Sequence, residues 1–306
     1  MCTQPVAVRI RRLPGRPLDP LLQRLRRGTG DLTHRKTGSS WFRATRTPDG
    51  PALVHLDETT VATAWGPGAD WALDHVPALL GDHDDPTGFS PAHPVLKETQ
   101  RRHPYLRIGR TEAVWEAFVP AVIEQKVTAR EAFAGYRQLL QRYGNPAPGP
   151  GQKPGHKAYG MICPPSPQVW ARIPSWEWRK AGIDHARSAT IVAAAHRAAA
   201  LERTLHSSSS HVDRGLQSLP GVGLWTSAEV RQRAHGDPDA WSDGDYHLPG
   251  AITLALTGEV LDNDAAKHLL EPYRGHRYRV QQLITLSGIR PPRRGPRRTL
   301  PIHLPR

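Results

Sequence analysis

The residues best suited to do chemistry lie between His211 and Gly250. Leu219-Pro220-Gly221-Val222-Gly223 is a tight Gly-x-Gly turn between two segments of helical character. Leu216 and Leu219 close the first segment, and Trp225, Ala228 and Val230 open the second. Glycines at 221 and 223 permit positive φ and carry no side chain, so backbone can approach a ligand closely. The N–H groups after the turn belong to a new helix and lack intrahelical partners, which suits them to a phosphate oxygen. Contacts of that kind ignore base sequence. A plain turn between packed helices accounts for the same five letters. The second feature is Asp243-Gly244-Asp245-Tyr246-His247-Leu248, an acidic turn leading into an apolar run. Asp245 follows Gly223 by 22 positions, across a stretch holding Gly236, Pro238 and Gly244. A carboxylate there can be an N-cap or a charge held beside a reacting centre.

Hairpin, helix, Gly/Pro-rich loop and acid, in that order, resemble the helix-hairpin-helix DNA glycosylases. The branch they resemble most is the AlkA-type 3-methyladenine DNA glycosylase II. The letters that carry this are Leu219 to Gly223, Trp225-Thr226 and Asp245-Tyr246-His247-Leu248. Ile123-Glu124-Gln125-Lys126-Val127-Thr128 is similar to the family's Glu-Gln-Gln-Val-Ser helix, and the likeness continues through Gly182-Ile183 and the 187–201 helix. It covers residues 91–289, with 211–250 the specific part.

The resemblance implies an α+β fold: a small N-terminal α/β domain (1–90), a mainly helical helix-hairpin-helix glycosylase domain (91–289) and a basic tail (290–306). It puts the catalytic carboxylate at Asp245. Asp243 does not match, because the third residue after it is Tyr246 rather than Leu or Ile. Bifunctional members carry a lysine where this chain has Trp225. Without that amine there is no Schiff base, so the implied enzyme is monofunctional and uses water. The base pocket falls to Trp225, with Tyr246 and Trp115 behind it. A pocket aromatic of the family's C-terminal region finds no counterpart near Ser287-Gly288-Ile289. DNA contacts fall to Gly221, Val222 and Gly223, to Gln125 and Lys126, and to Arg274 and Arg277. In the family, the residue after the Gln wedges into the DNA stack. Lys126 departs from the expected apolar or amide wedge; its stem can fill the gap while its ammonium reaches a phosphate, and an exposed lysine without a role is the alternative. No cofactor is required. The backbone carbonyls of Leu219 and Val222 are implied ligands of a structural Na+ or K+.

The implied substrate is double-stranded DNA holding cationic alkylated purines such as 3-methyladenine and 7-methylguanine. Three alternatives stay open: a DNA-damage-binding protein of the same fold with little catalysis, a glycosylase for neutral purine lesions with His247 as proton donor, and a hairpin module that only docks on DNA.

Composition agrees with a polyanion partner. Lys plus Arg number 41 against 28 Asp plus Glu, a formal charge of +13 over 306 residues, which points to nucleic acid before a membrane surface. Hydrophobic content of 38% supports a core. Cys2 and Cys163 alone exclude a disulfide framework, a CxxC metal pair and a four-cysteine iron–sulfur cluster. No apolar run reaches the about 18 residues of a membrane span, and no signal-peptide core opens the chain. A cytoplasmic monomer is expected.

The positioning elements follow from periodicity. Val6–Ile10 alternates like a strand, and 18–25 has helical spacing ended by Gly28-Thr29-Gly30. Residues 41–45 and 51–56 form a hairpin pattern around Thr47-Pro48-Asp49-Gly50, and 59–64 gives a further strand. Residues 71–80 return to helix. Arg24, Arg26, Arg27, Arg35 and Lys36 read as a solvated basic face. Gly81 to Pro91 is turn-rich, and its adjacent His83, Asp84 and Asp85 make a poor metal set. Helices are predicted over 93–104, around Val114 to Ile123, around Phe133 to Tyr143, over 186–201, and then at 252–256, 265–270 and 280–286. Asn145 to Pro167 is so rich in Pro and Gly that a mobile interhelical linker is expected. Trp170, Trp176 and Trp178 read as helical core or docking residues.

Overall fold

A computed structural model describes residues 17–57 and 61–292 of the chain. The Val6–Ile10 strand, Cys2 and the tail from 293 lie outside these residues. Four strands form an antiparallel meander in chain order: β1 (His34–Thr37), β2 (Ser40–Thr47), β3 (Gly50–Leu56) and β4 (Ala62–Trp65). The predicted hairpin closes with Thr47 opposite Gly50 and Trp41 opposite Leu56. β1 has no apolar alternation, so pattern alone does not reveal it; it is held by pairing with β2.

The sheet is covered on both faces. Trp41, Val54 and Leu56 join a cluster with α1 (Leu18–Leu22), α2 (Ala69–Asp74) and α3 (Val76–Leu79). Phe42, Ala44 and Leu53 join a second cluster with Ala147, Ala158, Met161 and Cys163. The Pro/Gly-rich segment is therefore a cover on the sheet, correcting the expected mobile linker. Its composition forbids long helices, but its few apolar residues still bury, and Asn145–Pro146 pairs with Ile162–Cys163.

The rest is helical. α4 (Pro94–Arg102), α5 (Val114–Ile123), α6 (Ala129–Tyr143), α7 (Pro167–Ala171) and α8 (Ser175–Lys180) precede α9 (His185–Ala195) and α10 (Ala198–Arg203). α11 (Ser209–Gln217) and α12 (Leu224–Val230) flank the Gly-x-Gly turn, and α13 (Leu248–Thr257), α14 (Asn263–Leu270) and α15 (Arg277–Ser287) complete the chain. The single helix expected over 186–201 is broken at His196-Arg197, and the one over 71–80 at His75. α5 is the axle: its side chains are buried all round and belong with those of α6, α9 and α11 to the largest core. Trp170 and Trp178 are core residues with stacked rings 5.6 Å apart, whereas Trp176 is exposed.

Of the basic row, Lys36 is exposed and pairs with Asp19, whereas the arginines are engaged in the fold. The Arg24 guanidinium donates to the carbonyls of Gln232 (3.0 Å) and Gly109, Arg27 pairs with Glu124 at 2.9 Å, and Arg35 donates to the carbonyls of Lys157 and Tyr159 at 2.8 Å. Arg24 and Arg27 join the N-terminal region to the helices and Arg35 joins the sheet to the Pro/Gly-rich cover, roles that need long-range partners no local pattern shows. The 81–91 turn is tied the same way: the buried carboxylate of Asp84 takes a two-pronged contact from Arg279 (2.7 and 2.9 Å), and His83 meets Arg110 at 2.7 Å. Among the described residues no helix is long and apolar enough to cross a membrane.

Candidate active site

The hairpin depends on one glycine more than the other. Gly221 sits at φ +84°, and a Cβ there would meet the Thr190 hydroxyl at 2.2 Å. That hydroxyl donates to the Pro220 carbonyl at 3.1 Å. Gly223 has extended backbone open to any residue, and a Cβ there would meet nothing within 4 Å. Of the two glycines that permit positive φ, Gly221 alone uses it and shapes the turn, and Gly223 leaves the outer side bare. No side chain caps the start of α12. Gly221, Gly223 and Leu224 are exposed while Leu219 and Val222 are buried, so the turn presents backbone outward on an apolar footing.

Gln125 braces the turn. Its Nε2 donates to the Gly221 carbonyl (2.9 Å) and the Thr226 hydroxyl (2.8 Å), joining the end of α5 to the hairpin. The next residue, Lys126, is exposed and held at φ +55°. The capping box of Thr128 and Glu131 starts α6 just beyond it.

α12 carries Trp225 to the acid. Trp225 Nε1–H donates to Asp245 Oδ2 at 3.1 Å. Asp245 Oδ1 accepts the backbone N–H groups of His247 (2.8 Å) and Leu248 (2.9 Å), which begin α13. Asp245 therefore fixes the turn that enters α13 and partners the indole at once. A carboxylate has about four acceptor positions; three are used, and the one left is on Oδ2. Asp243 is spent elsewhere, accepting from Asn263 (2.8 Å) and pairing with Lys267 (3.0 Å).

The loop between α12 and Asp245 has its own anchors. Arg277 grips Asp239 through Nε at 2.8 Å, and Gly275 N–H adds a bond to the same carboxylate at 2.8 Å. Those contacts hold the Asp239 carboxyl below its ordinary range in spite of its burial. Behind Trp225, Ser242 Oγ donates to Glu229 at 2.6 Å, and Arg233 pairs with the same acid.

The predicted residues separate accordingly. Trp225, Asp245, the hairpin and Gln125 come together. Tyr246 follows the acid in sequence but is 83% exposed, with its ring edge-on to His247 at 4.8 Å. Trp115 is not with them: it is buried at the start of α5 and lines a separate cavity that neither Trp225 nor Asp245 borders. Arg274 pairs with Glu271 on the surface, and Arg277 is held by Asp239 in a partly buried pair. The bracing by Thr190 and the Asp239–Arg277 clasp escaped sequence reading, because each joins positions at least 30 residues apart.

No protein-family model matches the chain. Over 166 residues, 51% of its length, it is 30% identical to the probable bifunctional transcriptional activator/DNA repair enzyme AlkA of Mycobacterium tuberculosis. It spans 30% of the length of that relative. The 3-methyladenine DNA glycosylase of Archaeoglobus fulgidus superposes with a TM-score of 0.71 at 14% identity, over 91% of this chain and 97% of that one. The chain has the helix-hairpin-helix DNA glycosylase fold. The 8-oxoguanine glycosylase/lyase of Clostridium acetobutylicum shares it, with a TM-score of 0.67 at 10% identity over 92% of this chain and 97% of that one. Within this glycosylase fold the small antiparallel sheet precedes a helical body, and the hairpin and acid lie in the turns that lead into α12 and α13 of that body.

Proposed function

We propose that the chain is a monofunctional DNA glycosylase acting on cationic alkylated purines, 3-methyladenine and 7-methylguanine among them, in base excision repair. The observation that carries this is the pairing of Asp245 with Trp225 beside an open-backboned hairpin. The hairpin N–H groups of Gly223 and its neighbours hold a phosphate of the duplex. The target nucleotide is turned out of the stack at a cost of a few kcal/mol, with Lys126 filling its place.

An alkylated purine carries positive charge, so its glycosidic bond is weakened before any acid acts. The C1′–N bond breaks with its electron pair going to the base, which leaves neutral. Positive charge builds on the sugar, and the free acceptor position on Asp245 Oδ2 faces that charge or the incoming water. Water adds its oxygen to C1′ and gives its proton to Asp245 or to solvent. The indole of Trp225 offers its face to the cationic base, a contact of about 1–2 kcal/mol when desolvated. A tryptophan at 225 brings no amine, so no covalent intermediate forms. The carbonyls of Leu219 and Val222 supply two neutral oxygens for a structural Na+ or K+; the Leu219 oxygen already accepts the Val222 N–H at 3.0 Å, leaving its second lone pair for the ion.

One observation favours a second reading. Three of the four acceptor positions of Asp245 serve structure, which is also what a binding-only protein would show. Release of free base from methylated duplex DNA, followed by chromatography for wild type and Asp245→Asn, separates the two. Wild-type release lost in the variant supports the glycosylase. Binding of damaged duplex by both proteins without release supports the binding-only reading. Borohydride should leave no protein trapped on abasic DNA, and a trapped adduct defeats the monofunctional assignment.

A further inference from the structure

A cavity of about 840 Å³ opens on the other flank of α5, away from Asp245. Its walls come from the β2–β3 turn, α2, α5, α6, α7, the end of α9 and α10. The volume suits a drug-sized or nucleoside-sized molecule. Trp115, Val119, Tyr136 and Trp170 make an apolar wall, in which Tyr136 and Trp170 lie parallel with rings 6.3 Å apart. Ala195, Ala198 and Ala199 face them, and their small size leaves the space open. Trp71, stacked on His75 at 3.6 Å, adds a further flat surface. Trp115 is 6% exposed, and its indole N–H has no hydrogen-bond partner among the described residues. A buried indole N–H ordinarily has one.

Charge selects among ligands. Three acids border the cavity, and each is already answered. Glu116 pairs with Arg43 at 2.9 Å, and Glu112 pairs with Arg110 at 2.7 Å and His75 at 3.4 Å. Glu202 accepts the first N–H groups of α5, those of Val114 (2.9 Å) and Trp115 (2.8 Å). Burial pushes the Glu202 carboxyl up, which disfavours its charge. The polar groups at the rim are the reverse. His196, Arg203 and His206 are exposed, and none has a hydrogen-bond or ion-pair partner among the described residues. An aromatic-walled pocket with an unpaired arginine and two free imidazoles at its mouth fits a flat ring carrying an anion.

We propose that this cavity is a second ligand site, distinct from the base site, for a planar aromatic anion of nucleoside size. The test uses the full chain and two dyes, 8-anilinonaphthalene-1-sulfonate and N-phenyl-1-naphthylamine, which differ by the sulfonate. The sulfonate dye should bind at one site per chain, at least about tenfold more tightly than the neutral dye. Ala199→Trp fills the cavity and Arg203→Glu reverses the rim charge; both positions are exposed, so the fold should survive, which a melting curve checks. Each should weaken the sulfonate dye by about tenfold. Displacement by deoxyadenosine 5′-monophosphate puts the natural anion on a nucleotide, and displacement by indole-3-acetate puts it on an aromatic carboxylate. Equal binding of the two dyes, sulfonate-dye binding unchanged by both substitutions, or failure of both competitors overturns the proposal.

Discussion

Trp225 and Asp245, 20 residues apart, meet through one indole N–H to carboxylate bond of 3.1 Å. The bond fixes which oxygen of the acid points along α12 and which holds the turn into α13. Trp225→Phe tests its part in the chemistry. Phenylalanine keeps an aromatic face and removes the donor, so one oxygen loses its orientation while the turn bonds stay. Single-turnover base release should fall by about tenfold, or ~1.4 kcal/mol in barrier, with DNA affinity and melting temperature nearly unchanged. A fall in affinity equal to the fall in rate would instead assign the residue to binding alone.

The two hairpin glycines should behave differently. Gly221→Ala forces a side chain into a left-handed turn against Thr190, so it should lower stability by more than about 1 kcal/mol. Gly223→Val meets open space and should melt like wild type. If backbone N–H groups there hold a phosphate, Gly223→Val weakens binding to damaged and undamaged duplex alike. A loss confined to damaged DNA would contradict that role.

Arg277 and Asp239 yield a different pair of readouts. Their clasp closes the loop that precedes the acid, so Arg277→Ala should reduce the melting temperature, by the ~1–3 kcal/mol expected when one partner of a part-buried pair is removed. The salt dependence of DNA binding should keep its slope, because no phosphate contact is lost. A slope reduced by about one unit would restore Arg277 as a DNA contact.

What sequence could and could not convey follows from range. The hairpin, α12 and the Asp245 turn are local patterns, and they were legible together with the β2–β3 hairpin and most helices. β1 was not, because His34-Arg35-Lys36-Thr37 is a strand only through its pairing with β2. Trp115 has the right chemistry for a base pocket, yet helical phase puts it on the other flank of α5. The basic residues at 24, 27 and 35 look alike in a sequence, and only distant carbonyls and Glu124 distinguish clamps from a solvated face. The cavity beside α5 is built from elements scattered along the chain, from the β2–β3 turn to α10, and had no local signature.

Acid should weaken the fold through two histidines. Burial lowers His34 and His235 from 6.5 to about 4, in each case against the pull of a neighbouring aspartate. Both are neutral in the fold. Between pH 6.5 and about 4 the unfolded chain binds more protons than the folded one, so stability falls as pH falls across that window. Melting temperatures measured from pH 7 to pH 4 should decline, and His235→Gln should flatten part of the slope. A slope identical to wild type in that variant would remove His235 from the account.

Lys126 offers a test in which two effects have opposite signs. A non-glycine residue at φ +55° is strained, by about 1–2 kcal/mol for a left-handed conformation. Strain of this kind persists where surrounding structure enforces it, and it gathers at functional sites. Here Gln125 is pinned to the hairpin on one side and the capping box of α6 on the other, so Lys126 must take the sharp turn between them. Lys126→Gly relieves the strain and removes the side chain. The melting temperature should rise, because glycine adopts the turn freely, although glycine's greater unfolded freedom offsets part of the gain. If the lysine stem fills the gap left by a flipped base, single-turnover release should fall by about tenfold in the more stable protein. Lys126→Leu keeps an apolar filler and should hold most of the rate while losing the phosphate contact, seen as a smaller salt slope. Release by Lys126→Gly at the wild-type rate would leave the strain as a consequence of the tight α5–α6 connection alone.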